Sequence, residues 1–448
     1  MTHARPVIRR RLLAMATAAA LTAATLGTVT GAAAAATPAG SGPVGALDGS
    51  AYSLGDLHAL DRMIGGARVV GLGEASHSAH EFFILKQRVF RHLVATRGFT
   101  TFALETSWST GLRLDAYVTR GIGDPEQIMR SEFQGQYVFW STQEYLDLIH
   151  WMRRYNLAHP DRPQLRFVGN DLGFAGRAAF DQVTGYVTRY RPDLADRAET
   201  LYKTLRPEEN TDAGRWMNHQ LYEKSEADRK QDAAAADAVL ALLRERGRPH
   251  RDDRRSREAY AWALQNATAI AQSFTGYAFE DFAERMRYRD RAMADNTAWW
   301  LRRHGGRILL ASNNGHVAYT SDNPALFPEP TGAFLRTRLG DDYVNIGLTF
   351  DHGTVNALPD FTTTHPKTYT VAPAPEGHNE HTLDKVRLRD FVIDLRTAPT
   401  AARTWLDTAR PTRSYGLYWS TDDPHTALGR SYDVLVHLHR VEAAHLLR

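Results

Sequence analysis

Hydrophobic residues follow two periods along this chain. Short apolar runs closed by glycine or polar residues occur in "ARVVGLG", "FTTFALE", "LRFVGND", "RILLASNNGH" and "YVNIGLTF", and each predicts a buried strand. Between them, apolar residues recur every three or four positions. Phe82, Leu85, Val89 and Leu93 predict a helix from about Ser78 to Thr96, opened by a Ser78–Glu81 capping box. Gly111–Val118 reads as helical. Asp124 and Pro125 have the N-cap and first-turn positions of another helix, and Ser141 and Glu144 form a second capping box before "YLDLIHWMRRYN". Strands alternating with helices predict an α/β fold: a mostly parallel central sheet flanked by helices.

The pattern also divides the chain. Residues 176–304 are rich in Ala, Arg, Glu and Leu with few strand signals, and predict a large all-helical insertion that walls a cleft. Its charge run, "RERGRPHRDDRRSRE", mixes acids with bases and reads as a solvated loop. The α/β core is then 51–175 and 305–448, with "FVIDL" and "YDVLVHL" as short strands in a tail of Pro-, Gly- and Asp-rich turns. Residues 37–50, "TPAGSGPVGALDGS", read as a linker. Residues 1–36 have a basic start (Arg9, Arg10, Arg11), an Ala/Leu/Thr stretch and a small-residue end, the anatomy of a signal peptide, and the paired arginines fit a twin-arginine route. A secreted protein without stable membrane association is expected after cleavage; a retained anchor is the other reading.

Removing that segment takes away four arginines and turns the formal charge of +3 into −1. The mature chain therefore has no basic excess to attract nucleic acid. The absence of cysteine excludes disulfides, a thiolate nucleophile and a cysteine zinc site.

The stretch "VVGLGEASHSAHEFF" delivers Glu74, His77, His80 and Glu81 within eight positions. On the predicted outline, Glu74 and His77 follow the first strand, Glu105 ends the second, Asp171 follows the third and His316 the fourth. Open α/β sheets bind ligands beyond the carboxyl ends of their strands, so parallel neighbours would bring these groups into one crevice. His77 precedes a helix N-terminus, whose partial positive charge disfavours imidazolium and suits a general base. Glu74 or Glu105 would fix its tautomer. There is no G-x-S-x-G elbow and no S-x-x-K pair; "GLGEAS" lacks the third glycine of a dinucleotide turn; Ile84 breaks an H-E-x-x-H helix begun at His80. His77, His80 and His316 with a carboxylate could form a looser metal set. A metal-dependent hydrolase and a non-catalytic extracellular binding protein therefore stand as alternatives. His378 and His381 read as loop residues.

Taken in order, "GLGEASHSAHEFFILKQRVFRHLV", "FTTFALE", "WSTQEYLDLIHWMRRYN", "LRFVGND", "YRDRAMADN" and "ASNNGHVAY" resemble the erythromycin esterase family from about residue 50 to 440. The resemblance implies an esterase that opens macrolide lactones with water, without a covalent acyl-enzyme, a cofactor or an essential metal. It carries the catalytic histidine onto His77, the glutamates onto Glu74 and Glu105, and a second histidine onto His316. The family arginine falls on Lys86, which keeps the charge and loses the planar fork. On this reading His77 takes a proton from water, Glu74 and Glu105 orient them, and His316 and Lys86 polarise an ester carbonyl. Asp171 holds Lys86 or a substrate hydroxyl, and His80 and Trp140 lie on the substrate side. The only partner expected is a small-molecule ester or lactone.

Overall fold

Alternation within each apolar run decides where the strands go. The computed structural model describes residues 42–447 apart from 210, 251–252, 361–362 and 364; the expected signal peptide lies outside them. Val70, Leu72, Phe102, Leu104, Phe167 and Leu309 join one apolar cluster, while Val69, Ala103, Val168, Ile308 and Leu310 join another. Successive side chains thus enter opposite layers, as required of strands covered by helices on both faces. Phe82, Leu85, Val89 and Leu93 of helix His80–Arg97 are buried in the first layer. Trp300 and Leu301 of helix Phe282–His304 pack in the second.

The strands in chain order are β1 (Tyr52–Ser53), β2 (Val69–Leu72), β3 (Thr101–Ser107), β4 (Arg166–Asp171), β5 (Ile308–Ala311), β6 (Tyr343–Ala357), β7 (Lys367–Val371), β8 (Phe391–Asp394), β9 (Arg410–Pro411), β10 (His425–Thr426) and β11 (Val434–Val441). The main sheet runs β1-β8-β11-β6-β2-β5-β3-β4, with β7 added to β6; β9 and β10 pair separately. From β11 to β4 every pairing is parallel, and only β1, β7 and β8 join antiparallel. The four strands expected to carry the chemistry, β2, β5, β3 and β4, are consecutive parallel neighbours. Between β4 and β5 the described residues form helices and turns, ending with Arg254–Ala278 and Phe282–His304.

Two close approaches explain glycines. A Cβ on Gly111 would lie 2.1 Å from the backbone N of Gly169, so helix Trp108–Arg120 presses directly on β4. A Cβ on Gly73 would lie 2.1 Å from Asn314 Oδ1, whose amide is locked to Leu348 N and O at 3.0 and 2.7 Å.

Local expectations fail where tertiary partners take the polar groups. Asp124 caps helix Pro125–Glu132 as expected, accepting from Glu126 N at 3.0 Å. Neither capping box forms. Helix His80–Arg97 starts after Ala79; Ser78 Oγ accepts from Asn356, and Glu81 accepts from Glu442 N at 2.6 Å. The second helix, Gln143–Ala158, is capped by Thr142, and Glu144 turns to two histidines. The expected linker also has structure: Pro43–Asp48 is a helix whose buried Leu47 packs in a cluster with Ala402 and Leu406.

Candidate active site

Four strand ends and two helices, His80–Arg97 and Phe282–His304, build the site. The turn after β2 carries Glu74 and His77. The His77 Nδ1–H donates to Glu74 Oε1 at 3.0 Å, which fixes the tautomer with Nε2 as the proton-accepting atom. Its ring stacks on Phe139 and meets Trp140 edge-on at 5.1 Å. The second Glu74 oxygen accepts from the Lys86 ammonium, which also donates to Ser312 O at 3.2 Å. Lys86 and Glu74 are both fully buried. Burial pushes the Lys86 ammonium down from its ordinary value, and Glu74 pulls the other way.

On β3 the pairing register slips between Leu104 and Ser107, so Glu105 leaves the ladder and turns toward its neighbours. Its Oε2 accepts from Ser312 Oγ at 2.6 Å and Asn313 N at 2.9 Å; its Oε1 accepts from Arg289 Nη2 at 2.9 Å and faces His316 Nε2 at 3.2 Å. Burial would push the Glu105 carboxyl up. His316 and Arg289 overcome it and hold the group well below the usual carboxylate range.

His316 lies between two acids, with Nδ1 2.7 Å from Asp290 and Nε2 on Glu105. Burial lowers its proton affinity, but Asp290 and Glu105 lift it to about 10, so the ring is an imidazolium at neutral pH. Asp290 is itself held by Thr331 N and Oγ1 at 2.8 and 2.7 Å. Arg289 clamps Asp171 through Nε and Nη2, at 2.6–3.1 Å, and bridges to Glu105. Burial and the Asp171 charge push the neighbouring Tyr137 hydroxyl well above its ordinary value, so it stays protonated.

Glu74, His77, Lys86, Glu105, Asp171 and His316 are thus brought into one linked cluster, but several stand differently from expectation. Lys86 cannot reach a substrate from its position: it is sealed behind Glu74. Asp171 pairs with Arg289, not with Lys86. Both ring N–H groups of His316 are occupied by acids, which leaves none for an ester oxygen. His80 belongs elsewhere, with Glu144 and His445. Trp140 is 1% exposed and packs on His77. The loose metal set does not assemble either: among the described residues, no group of side chains whose candidate ligand atoms gather within 4.8 Å of one another joins His77, His80 and His316.

Ser312, Arg289 and Asp290 were missed. A signal for Asp290 exists: it shares a helical stripe with buried Met293, Ala294, Thr297 and Leu301, where a lone carboxylate demands a partner. Among the described residues no hydrogen bond reaches Arg289 Nη1 or His77 Nε2. These two atoms, one a donor and one an acceptor, are the groups the cluster leaves to a reactant.

Comparison with known proteins agrees with this architecture. The chain is 27% identical to a succinoglycan biosynthesis protein of known crystal structure, with a TM-score of 0.79 over 92% of this chain and 100% of that one. A Bacillus cereus protein gives 28% and 0.80 over 91% and 98%. An erythromycin esterase mutant, EreC, in its open conformation shares the fold, at 19% identity and a TM-score of 0.67 over 88% and 96%. In sequence, the chain is 25% identical to "Erythromycin esterase type II" of Escherichia coli over 68% of its own length and 74% of the relative's. It is 22% identical to "Putative hydrolase YbfO" of Bacillus subtilis (strain 168) over 90% of each. Residues 94–441 match the erythromycin esterase family, and with most of its length inside that match, the chain belongs to this family of hydrolases.

Proposed function

We propose that this protein hydrolyses a carboxylic ester or macrolactone by direct attack of water, with His77 as general base and no acyl-enzyme. The observation that carries the proposal is the Glu74–His77 bond at 3.0 Å, which leaves Nε2 as the base at the carboxyl edge of four parallel strands. Glu74 orients His77 and meets the charge of the imidazolium, while Lys86 holds Glu74 in place. Arg289, fixed by Asp171 and Glu105, directs Nη1 at the carbonyl oxygen and stabilises the oxyanion. His316 and Asp290 act behind it by keeping Glu105 in position.

Glu74, Glu105, Asp171 and Asp290 are four carboxylates against three cations, Lys86, Arg289 and His316. When His77 takes a proton from water the matching negative charge appears on the oxyanion, so Glu74 faces the imidazolium and Arg289 faces the oxyanion while the net charge stays the same. Export through the N-terminal leader belongs to the same reading. No helix of the described residues is long and apolar enough to cross a membrane. The name of the Escherichia coli relative makes a macrolide the first substrate to try.

The test is mass spectrometry of macrolides and simple esters incubated with the purified mature chain. A hydrolysed product heavier by one water is expected, and His77→Ala should lower its rate by about 10²–10⁴-fold with an unchanged circular dichroism spectrum. Normal turnover in His77→Ala would remove His77 from the mechanism, and a hydroxamate trapped from the enzyme by hydroxylamine would overturn the direct attack.

A further inference from the structure

Outside the catalytic cluster, among the described residues, three groups of side chains each bring their candidate ligand atoms within 4.8 Å of one another: His58–Asp61–His92, His80–Glu144–His445 and Asp351–His352–His439. Two carry features that oppose a cation. In the first group one Asp61 oxygen, Oδ1, is already taken, accepting from Thr96 Oγ1 at 3.3 Å. In the third group His439 Nδ1 is bonded to Asp384 at 2.7 Å, and Arg389 Nη1 stands 2.5 Å from the remaining ring nitrogen.

The second group is built differently. His80 Nδ1 and His445 Nδ1 approach the same oxygen, Glu144 Oε1, at 2.7 and 2.8 Å, with their rings at 80° to each other. Glu144 is nearly fully buried, yet its second oxygen, Oε2, has no partner. No lysine or arginine pairs with Glu144 among the described residues. Each position is fixed by backbone. His80 opens helix His80–Arg97 and its N–H donates to Glu442 O at 2.7 Å. Glu144 lies in the first turn of helix Gln143–Ala158. His445 is held by Gln143 N donating to its carbonyl at 2.9 Å, and by its own N–H on Glu144 at 3.1 Å. Leu447 N donates to Ser141 O at 2.8 Å.

We infer that His80, Glu144 and His445 form a binding site for one divalent ion of the zinc class, which ties the C-terminal tail to the starts of two helices. Two imidazoles and one carboxylate are three of the four ligands of a tetrahedral zinc ion. The orphaned Oε2 gives the carboxylate a second lone-pair set for the ion, and the exposure of His445, 70%, leaves an open side for water as the fourth ligand. The ion replaces the Nδ1 protons, and each ring then carries its proton on Nε2. The ion is structural: none of the three ligands bonds to Glu74, His77, Glu105 or His316. The inference therefore does not depend on the esterase reading, and its test does not use turnover.

The test strips the full chain with chelator and titrates Zn²⁺ against a chromophoric competitor, with Co²⁺ as a spectroscopic substitute. One equivalent is expected to bind, raise the Tm and give the visible bands of tetrahedral cobalt. His445→Ala, a change on an exposed side chain, should weaken the site at least about tenfold and abolish the Tm increase. His58→Ala and His352→Ala should leave both intact. No saturable equivalent in the stripped wild type would overturn the inference. So would equal binding by wild type and His445→Ala, or loss of the equivalent in either of the other two variants.

Discussion

Replacing His316 with glutamine tests what holds the buried network together. Gln can still bond Asp290 but carries no charge. In the folded chain burial lowers the proton affinity of His316, and Asp290 and Glu105 raise it from an ordinary 6.5 to about 10. That difference corresponds to roughly 5 kcal/mol in favour of the charged ring, an upper bound because the two acids share the same interactions. The folded value lies above the unfolded one. The stabilisation is therefore fully present below pH 6.5 and is lost as pH rises through about 10. Within that window the folded state holds the extra proton, and stability falls by up to about 1.4 kcal/mol per pH unit. Urea unfolding of wild type and His316→Gln across the window isolates the effect, since other titrating groups cancel in the difference. The advantage of wild type should shrink by several kcal/mol between neutral pH and the upper end. A difference that stays constant across the range would refute the imidazolium and the network built on it.

Other perturbations act on single parts of the site. Lys86→Met leaves Glu74 buried without its cation and should cost about 3–5 kcal/mol in urea unfolding. The Glu74→Gln/Lys86→Met pair should cost less than the sum of the two single changes. Arg289→Lys keeps the charge but cannot span Asp171 and Glu105 while also presenting a free N–H, and kcat on the best ester should fall about 10²–10³-fold. Gly73→Ala drives a methyl against Asn314 Oδ1 and should cost about 1–3 kcal/mol in thermal melts, with a loss of turnover because Glu74 is the next residue.

The sheet was legible because strand identity and strand ends are local properties. Runs such as "VVGLG" and "RILLAS" are short, apolar and closed by breakers, and parallel pairing then carries Glu74, Glu105, Asp171 and His316 to one edge. What local pattern could not reveal is which partner each polar group finds. Ser78 and Glu144 have the spacing of helix caps, yet Asn356 and two histidines claim them, one from a residue 301 positions away. Arg289 and Asp290 come from a predicted helix whose buried stripe marks Asp290 as needing a partner but does not say which, and their role appears only when that helix lies over the carboxyl edge. Leu47 looked like part of a linker because its neighbours are small, but one large apolar side chain suffices to dock a six-residue helix.

Burial then sorts the charged groups into those that act on a reactant and those that hold the others. A buried charge is tolerated only when paired, and pairing consumes donors and lone pairs. Lys86 gives two of its three N–H groups to Glu74 and Ser312 and is sealed from solvent by complete burial, His316 gives both of its own to Asp290 and Glu105, and Asp171 is spent on Arg289 and on Leu172 N. The family resemblance put Lys86 and His316 on a substrate carbonyl, and Asp171 on Lys86 or a substrate hydroxyl. Counting satisfied atoms reverses that reading. A group whose hydrogen-bonding capacity is filled by protein can only position its neighbours, and what it positions is a side chain with capacity left over. In this cluster the spare lone pair is on His77 Nε2 and the spare donors are on Arg289 Nη1. A base and a cationic donor are what attack of water on a carbonyl requires, one to take the proton and the other to receive the charge.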